Sequence, residues 1–404
     1  MKAAHGRFAR TAVMAGVTAA VALGAPPAEA GTAGRSALQA DLDALRGHGV
    51  TGAWAEATEG RRTRTVRSGV ADLATGRPVP WNAHYRIGST TKTFVAVVVL
   101  QLAAEGRIGL DDPVERWLPG VVTGNGNDGR KITVRQLLRH NSGLHDYILD
   151  TPMYKAALAE GYPGFVRERF RKHRPEELAA MAMRHRPHWV PEGPDERRWS
   201  YSNTNYILAG MIVERVTGRT WEQEVRARIT GPLGLRRTAV PPDPRTFPSP
   251  HAIAYQRFLG DDRLYDVTSN ADAYADGGLV ATTGDVGRFF RALMRGRLLP
   301  PAWLAEMKET VPQREPGDGG AAAGRYGLGL QWSPLSCGGG YWTHGGDSLG
   351  VSNRLGVTPD GRRSVVVAIS TETLDEATET AKDATAERLI DRALCEPSPR
   401  SSPP

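Results

Sequence analysis

Leu38, Leu42 and Leu45 recur at the spacing of one helix face, which predicts an amphipathic helix over 35–46. The next two runs, Val50 to Ala57 and Thr63 to Val70, alternate apolar and polar residues around Glu59-Gly60 and predict a β-hairpin. An apolar helical run follows from Phe94 to Ala104. Between Asp111 and Arg245 the pattern changes to short helical stretches separated by Pro/Gly-rich turns and many charges, with helices predicted over Thr133–His140, Asn205–Val216 and Trp221–Ile229. Thr283–Arg295 and Ala302–Thr310 are helical again. Beyond a Gly/Ala-rich loop, Glu315 to Gly324, four strands are predicted: Tyr326–Trp332, Tyr341–His344, Val351–Thr358 and Ser364–Thr371, with tight turns such as Asp360-Gly361 between them. A helix from Glu372 to Leu394 closes the pattern.

Strand-forming ends around a helical middle imply an α/β (α+β) fold, an antiparallel sheet flanked by helices from both chain ends with an inserted all-helical domain. The boundaries read as 31–110 with 246–395 for the sheet domain and 111–245 for the helical one. Residues 396–404 read as a disordered tail. No internal repeat is visible. Residues 1–30 have the form of a cleaved export signal: Lys2, Arg7 and Arg10, an apolar stretch from Thr11 to Gly24, and Ala28-Glu29-Ala30 before the cut. The expected location is therefore outside the cell.

Charge and cysteine content narrow the picture. The formal net charge of +7 falls to about +5 once residues 1–30 are removed, and the basic residues are spread along the chain, which argues against a nucleic-acid partner. No later run of 18 apolar residues predicts a stable membrane anchor. Cys337 and Cys395 are 58 residues apart near the end of an exported chain, where a bridge is permitted and would add roughly 4 kcal/mol in the chain-entropy model. Two buried thiols are the other reading.

Ser89 stands three residues before Lys92 at the start of the apolar run, and positions i and i+3 share a helix face. A serine becomes a nucleophile when a neighbour takes its proton, and a partly buried lysine with a lowered pKa is suited to that. An isolated Ser-x-x-Lys is usually a helix cap with a solvated lysine. Here, though, the chain has only seven lysines, and no other charge lies between Phe94 and Leu102. Tyr201-Ser202-Asn203, before the helix at Asn205, is the chain's single Tyr-x-Asn. A tyrosine facing an ammonium can exchange protons with it, and an asparagine amide can hold a lysine and a substrate carbonyl together. His344-Gly345-Gly346 ends a strand; its glycines leave room for a substrate backbone, and its histidine can bridge neighbouring charges.

In this order, the three motifs resemble those of the serine DD-peptidases and the class C β-lactamase superfamily. The stretch Ile132 to Leu144 is similar to that superfamily's LLxHxSGL segment, and Tyr326 to Leu330 matches the residues before its third motif. Secreted actinobacterial D-alanyl-D-alanine carboxypeptidases are the nearest in pattern, over about residues 35–395. The resemblance implies a penicillin-recognising serine hydrolase fold, with Ser89 as nucleophile, Lys92 and Tyr201 exchanging the proton, Asn203 and His344 assisting, and the N–H groups of Ser89 and Asp347 receiving the oxyanion. It also implies a Cys337–Cys395 bridge, no metal, no cofactor and a monomer. Cell-wall peptides or related small amides and esters would be substrates, and β-lactams inhibitors.

Two departures bear on specificity. The carboxypeptidases place an arginine where this chain has Gln331, and threonines where it has Gly345 and Asp347. A neutral amide and a carboxylate make a poor receptor for a substrate's terminal carboxylate. Esterase, β-lactamase and D-amino-acid amidase activities on the same scaffold are the alternatives, with a non-catalytic binder of cell-wall peptide as one of another class. Gly346-Asp347-Ser348-Leu349-Gly350 spells a hydrolase elbow, but that scheme needs a histidine after the serine, and His344 is the last in the chain. His185 with His188, and His140 with His145, lack metalloprotease spacing and stand beside Arg184, Arg186 and Arg139, so no metal is expected.

Overall fold

The leucine-spaced helix α1 spans Ala37–Ala44, capped by the Ser36 side chain. The hairpin strands are β1, Gly52–Glu59, and β2, Arg62–Gly69, closed by the pair Glu59 and Arg62. The computed structural model describes residues 36–271, 274–315 and 324–396; the expected export signal at 1–30, most of the 315–324 loop and the tail beyond Glu396 lie outside them.

After a 3-10 turn at Gly88–Thr90 comes helix α2, Thr91–Ala104. Phe94 through Leu100 are at most 1 % exposed, so α2 is a central post covered on all sides, as an all-round apolar helix must be. The helical region contains α3, Val134–Arg139, with a Thr133–Gln136 capping box. It continues with α4, Pro152–Glu160, α5, Tyr162–Glu168, α6, Pro175–Met183, and α7, Thr204–Thr217. The proline-started helices α4 to α6 went unassigned in the sequence pattern, although proline in the first turn and the Thr151 cap are helix-start signals. The run expected as one helix from Trp221 ends at Val225 and continues as a π turn, Arg226–Thr230. Helix α8, Thr283–Met294, returns to the sheet, and Phe289 stacks on Phe94 with centroids 3.6 Å apart.

The strand-rich end supplies β3, Val311–Pro312, β4, Arg325–Tyr326, β5, Gln331–Pro334, β6, Gly340–Thr343, β7, Gly346–Ser348, β8, Val351–Val357, and β9, Arg363–Ile369. Together with the hairpin they form an antiparallel sheet ordered β2-β1-β9-β8-β6-β5-β4-β3, with β7 paired to β8. The expected strand Tyr326–Trp332 is broken in two. Leu328 N–H bonds to the Met307 carbonyl and Thr93 Oγ1 to the Gly329 carbonyl, so the middle of that run dips onto α2 rather than pairing with a strand. The closing helix α9, Glu376–Cys395, starts later than expected because Asp375 caps it, while Thr371–Thr373 pairs in parallel with Tyr255–Arg257.

Alternation along β9 divides the core. Val365, Val367 and Ile369 face α1 and α9, whereas Val366 and Ala368 face the cluster containing α2 and α8. Cys337 and Cys395 are joined, with Cα atoms 5.8 Å apart, tying the β5–β6 loop to the end of α9. No helix among the described residues is long and apolar enough to cross a membrane.

Candidate active site

Ser89 lies in the 3-10 turn that starts α2, partly exposed on the wall of a cavity of about 290 Å³ shared with Tyr201, Gln331, His344, Asp347 and Arg354. One turn on, Lys92 has no exposed surface. Its Nζ donates to Ser89 Oγ (2.9 Å), Asn203 Oδ1 (2.7 Å) and the Asp276 carbonyl (2.7 Å), which accounts for all three protons of an ammonium. Burial lowers the lysine pKa to about 8, although Asp276, Asp146 and Asp347 all act to raise it. Near neutral pH a fraction of the lysine is then the neutral amine, at hydrogen-bond distance from the serine.

Tyr201 also lies beside the serine, and its ring centroid is 5.1 Å from Lys92 Nζ. Burial holds its hydroxyl pKa well above 10, and the hydrogen bond with Ser89 opposes that shift. The hydroxyl therefore keeps its proton at neutral pH and can donate it. Asn203 links inward: its amide nitrogen donates to Asp146 Oδ2 (2.9 Å), whose carboxyl burial raises to about 6.

His344 is buried, with Nδ1 2.8 Å from the Gly345 carbonyl and Nε2 2.8 Å from the Tyr326 hydroxyl. Burial, followed by the Lys92 charge, lowers its pKa to about 3, so it is neutral. It lines the cavity with both ring nitrogens directed at Tyr326 and Gly345 rather than at Lys92 or Tyr201, in contrast to the bridge its position in the sequence suggests. Gly345 leads into β7, which holds Gly346 and Asp347 beside the Ser89 turn. The approach is close enough that a Cβ on Gly346 would run into the Ile87 carbonyl, and one on Gly88 into the Asp347 backbone.

Several residues essential to this geometry escaped the motif reading. Asn353 donates to the Ile87 and Gly346 carbonyls (2.9 and 3.1 Å) and accepts from Thr90 Oγ1 (3.1 Å), and the same hydroxyl reaches the His344 carbonyl (2.7 Å). This fully buried network fastens the serine turn to the His-Gly-Gly segment. His140, which lies within the Ile132–Leu144 match and was weighed above only as half of a histidine pair, stacks on Tyr201 at 4.3 Å. Its Nδ1 accepts from Ser202 N–H and Asn205 Nδ2, which assigns the proton to Nε2, and burial keeps the ring neutral. Arg354 donates to Asp347 Oδ1 (2.7 Å) and to Asp383 Oδ2 (2.8 Å). Its guanidinium is thus engaged by two carboxylates, while the Asp347 side chain remains 62 % exposed. Gln331 faces the same cavity from β5, paired with Thr343 across the sheet.

A family model described as Beta-lactamase matches residues 36–391. The chain belongs to the beta-lactamase family. It is a serine hydrolase of that superfamily, whose penicillin-binding and amidase members are among its relatives. A D-stereospecific amidohydrolase from a Streptomyces species is 42 % identical, with 89 % of this chain and 98 % of that one covered and a TM-score of 0.77. The D-amino acid amidase from Ochrobactrum anthropi SV3, solved with D-phenylalanine, is 28 % identical over 88 % of this chain and 96 % of that one, with a TM-score of 0.73. Penicillin-binding protein 4 of Amycolatopsis lactamdurans is 30 % identical over 63 % of this chain and 62 % of its own length. The chain spans about half to three-fifths of the length of these curated relatives, the second being Penicillin-binding protein 4* of Bacillus subtilis.

Proposed function

We propose that this chain is an exported hydrolase that cleaves amides of D-amino acids bearing a free ammonium group, through a covalent acyl-enzyme on Ser89. The observation that carries the reading is the charge arrangement beside the serine. Arg354 is held between Asp347 and Asp383, Gln331 is neutral, and the exposed carboxylate of Asp347 shares the cavity with Ser89. Such a wall attracts a cation and repels a terminal carboxylate. The likeness to a D-stereospecific amidohydrolase supports the D configuration. The charged leader pattern and the disulfide support export.

In this reaction Ser89 Oγ attacks the amide carbonyl carbon as its proton passes to Lys92 Nζ. The backbone N–H groups of Ser89 and Asp347 receive the developing oxyanion, and the close approach of Gly88 to Asp347 supports their pairing. Tyr201 gives its proton to the leaving nitrogen as the C–N bond breaks and recovers one from Lys92. Water then attacks the acyl carbon, releasing the D-amino acid and restoring the serine. Asn203 holds Lys92, and neutral His344 shapes the cavity wall beside Gly345.

The test is kcat/KM for a D-amino acid amide, its L-enantiomer, its N-acetyl derivative and a D-Ala-D-Ala peptide with a free carboxylate. The free-ammonium D-amide should exceed each of the others by at least about tenfold. A preference for the N-acetylated amide or for the free-acid peptide would overturn the assignment and favour the carboxypeptidase reading.

A further inference from the structure

Neighbours in sequence suggested two histidine pairs, His185 with His188 and His140 with His145. The fold makes a different pair. His145, in the loop after α3, and His185, just after α6, stack their rings with centroids 3.9 Å apart, and both point Nε2 at the same oxygen of Asp150. The separations to Asp150 Oδ2 are 2.9 and 2.8 Å, and the three ligand atoms lie within 4.8 Å of one another.

The backbone behind these side chains is tied down from elsewhere. Asn127 Nδ2 donates to the His185 carbonyl (2.9 Å), and His188 N–H donates to the Gly143 carbonyl (2.7 Å), which fixes the 185–188 loop against the segment that carries His145. The His145 carbonyl accepts from the hydroxyls of Ser202 and Thr204 (3.2 and 2.7 Å). The Asp150 carboxylate is only 10 % exposed, and its other oxygen accepts from the well-exposed Lys155 ammonium at 2.7 Å.

We propose that His145, Asp150 and His185 form a binding site for a divalent transition-metal ion, separate from the serine centre. Two imidazole nitrogens and one carboxylate oxygen are the donor set that borderline cations such as Zn²⁺ and Ni²⁺ prefer, whereas Ca²⁺ and Mg²⁺ require oxygen ligands almost exclusively. The two nitrogens already converge on the carboxylate oxygen, so bonds of about 2.0–2.2 Å need only a small closing movement, and exposed His185 leaves the remaining position to water. Each imidazole would bind the ion through Nε2 with its proton on Nδ1, so the ion takes the place of the two Nε2 contacts to Asp150. The charge of Lys155, and those of Arg184 and Arg186 on either side of His185, oppose the ion and lower its affinity.

This site does not depend on the substrate assigned above, and its test does not use activity. Untagged full-length protein, freed of metal with EDTA, is titrated calorimetrically with ZnCl2 and separately with CaCl2. One equivalent of Zn²⁺ and no Ca²⁺ should bind. His185→Asn, on an exposed loop, should weaken Zn²⁺ binding at least tenfold with an unchanged far-UV circular dichroism spectrum, and Asp150→Asn should do the same. Lys155→Met should tighten it several-fold. No saturable uptake at millimolar Zn²⁺, or equal uptake by His185→Asn, would overturn the proposal, and the latter result stands even if Asp150→Asn does not fold.

Discussion

The wall of the cavity that carries Ser89, Lys92 and Tyr201 differs from the one that carries Gln331, Asp347 and Arg354. On the first, polar atoms are directed at one another: Lys92, without exposed surface, uses its three donors within the protein, and Tyr201 stacks on His140. On the second, the arginine is neutralised from two sides and a carboxylate is left facing solvent. One wall is built to move a proton and the other to meet a charge. Changes to the first should therefore alter rate for every substrate, and changes to the second should alter the choice among substrates.

The largest effect belongs to Ser89→Ala. It should abolish turnover and covalent labelling by a fluorophosphonate or a β-lactam, while the melting temperature changes little; an adduct that survives, or that maps to Ser348, would place the nucleophile elsewhere. Next are Lys92→Ala and Tyr201→Phe, each slowing acylation by orders of magnitude, with a double variant far less than multiplicatively worse, because both serve one proton path. Fully multiplicative losses would mean that they act in separate steps. The same wall sets a pH dependence. With Lys92 required as free amine and its pKa near 8, kcat/KM should rise with pH through about 8 and level off above it, and a flat profile from pH 6 to 10 would remove the lysine from the role of base.

A smaller effect is expected on the second wall. Asp347→Asn should leave maximal turnover within a few-fold but cut the preference for free-ammonium over N-acetyl amides by about tenfold, and paired with Gln331→Arg it should improve activity on free-acid peptides. Equal losses on all substrates would show that the two walls do not divide the work. The smallest effect is on the disulfide. Reduction should lower the melting temperature by several degrees, in line with roughly 4 kcal/mol of loop entropy, and leave acylation in the folded protein intact.

The two walls also differ in how far they can be read from residues alone. Ser89 and Lys92 are three positions apart on one helix, so helical geometry alone brings them together, and the Tyr201 and His344 motifs lie on elements whose order was visible. The long hydrophobic runs likewise marked α2, the hairpin and β9. The Arg354 clamp depends on residues 7 and 29 positions away, from a neighbouring strand and the closing helix, and no local pattern announces such a pairing. The same holds for His145 and His185, which lie far apart in sequence and which tertiary structure stacks. The break in the strand expected at Tyr326–Trp332 has a similar origin, since the bonds that pull Leu328 and Gly329 out of line come from Thr93, Leu138 and Met307, all distant in sequence.

The zero exposure of Lys92 sets the catalytic machinery against the durability of the molecule. A displacement of its pKa from 10.5 to about 8 corresponds to about 3 kcal/mol by which the folded chain disfavours the charged amine relative to the unfolded chain. That penalty is complete below about pH 8 and relieved as the pH climbs toward 10.5, where the unfolded chain also loses its proton. The remaining apolar helix, covered on every side, supplies the surplus that lets the chain tolerate it. An apolar residue in its place would lift that penalty and, in the same stroke, take away the amine beside Ser89.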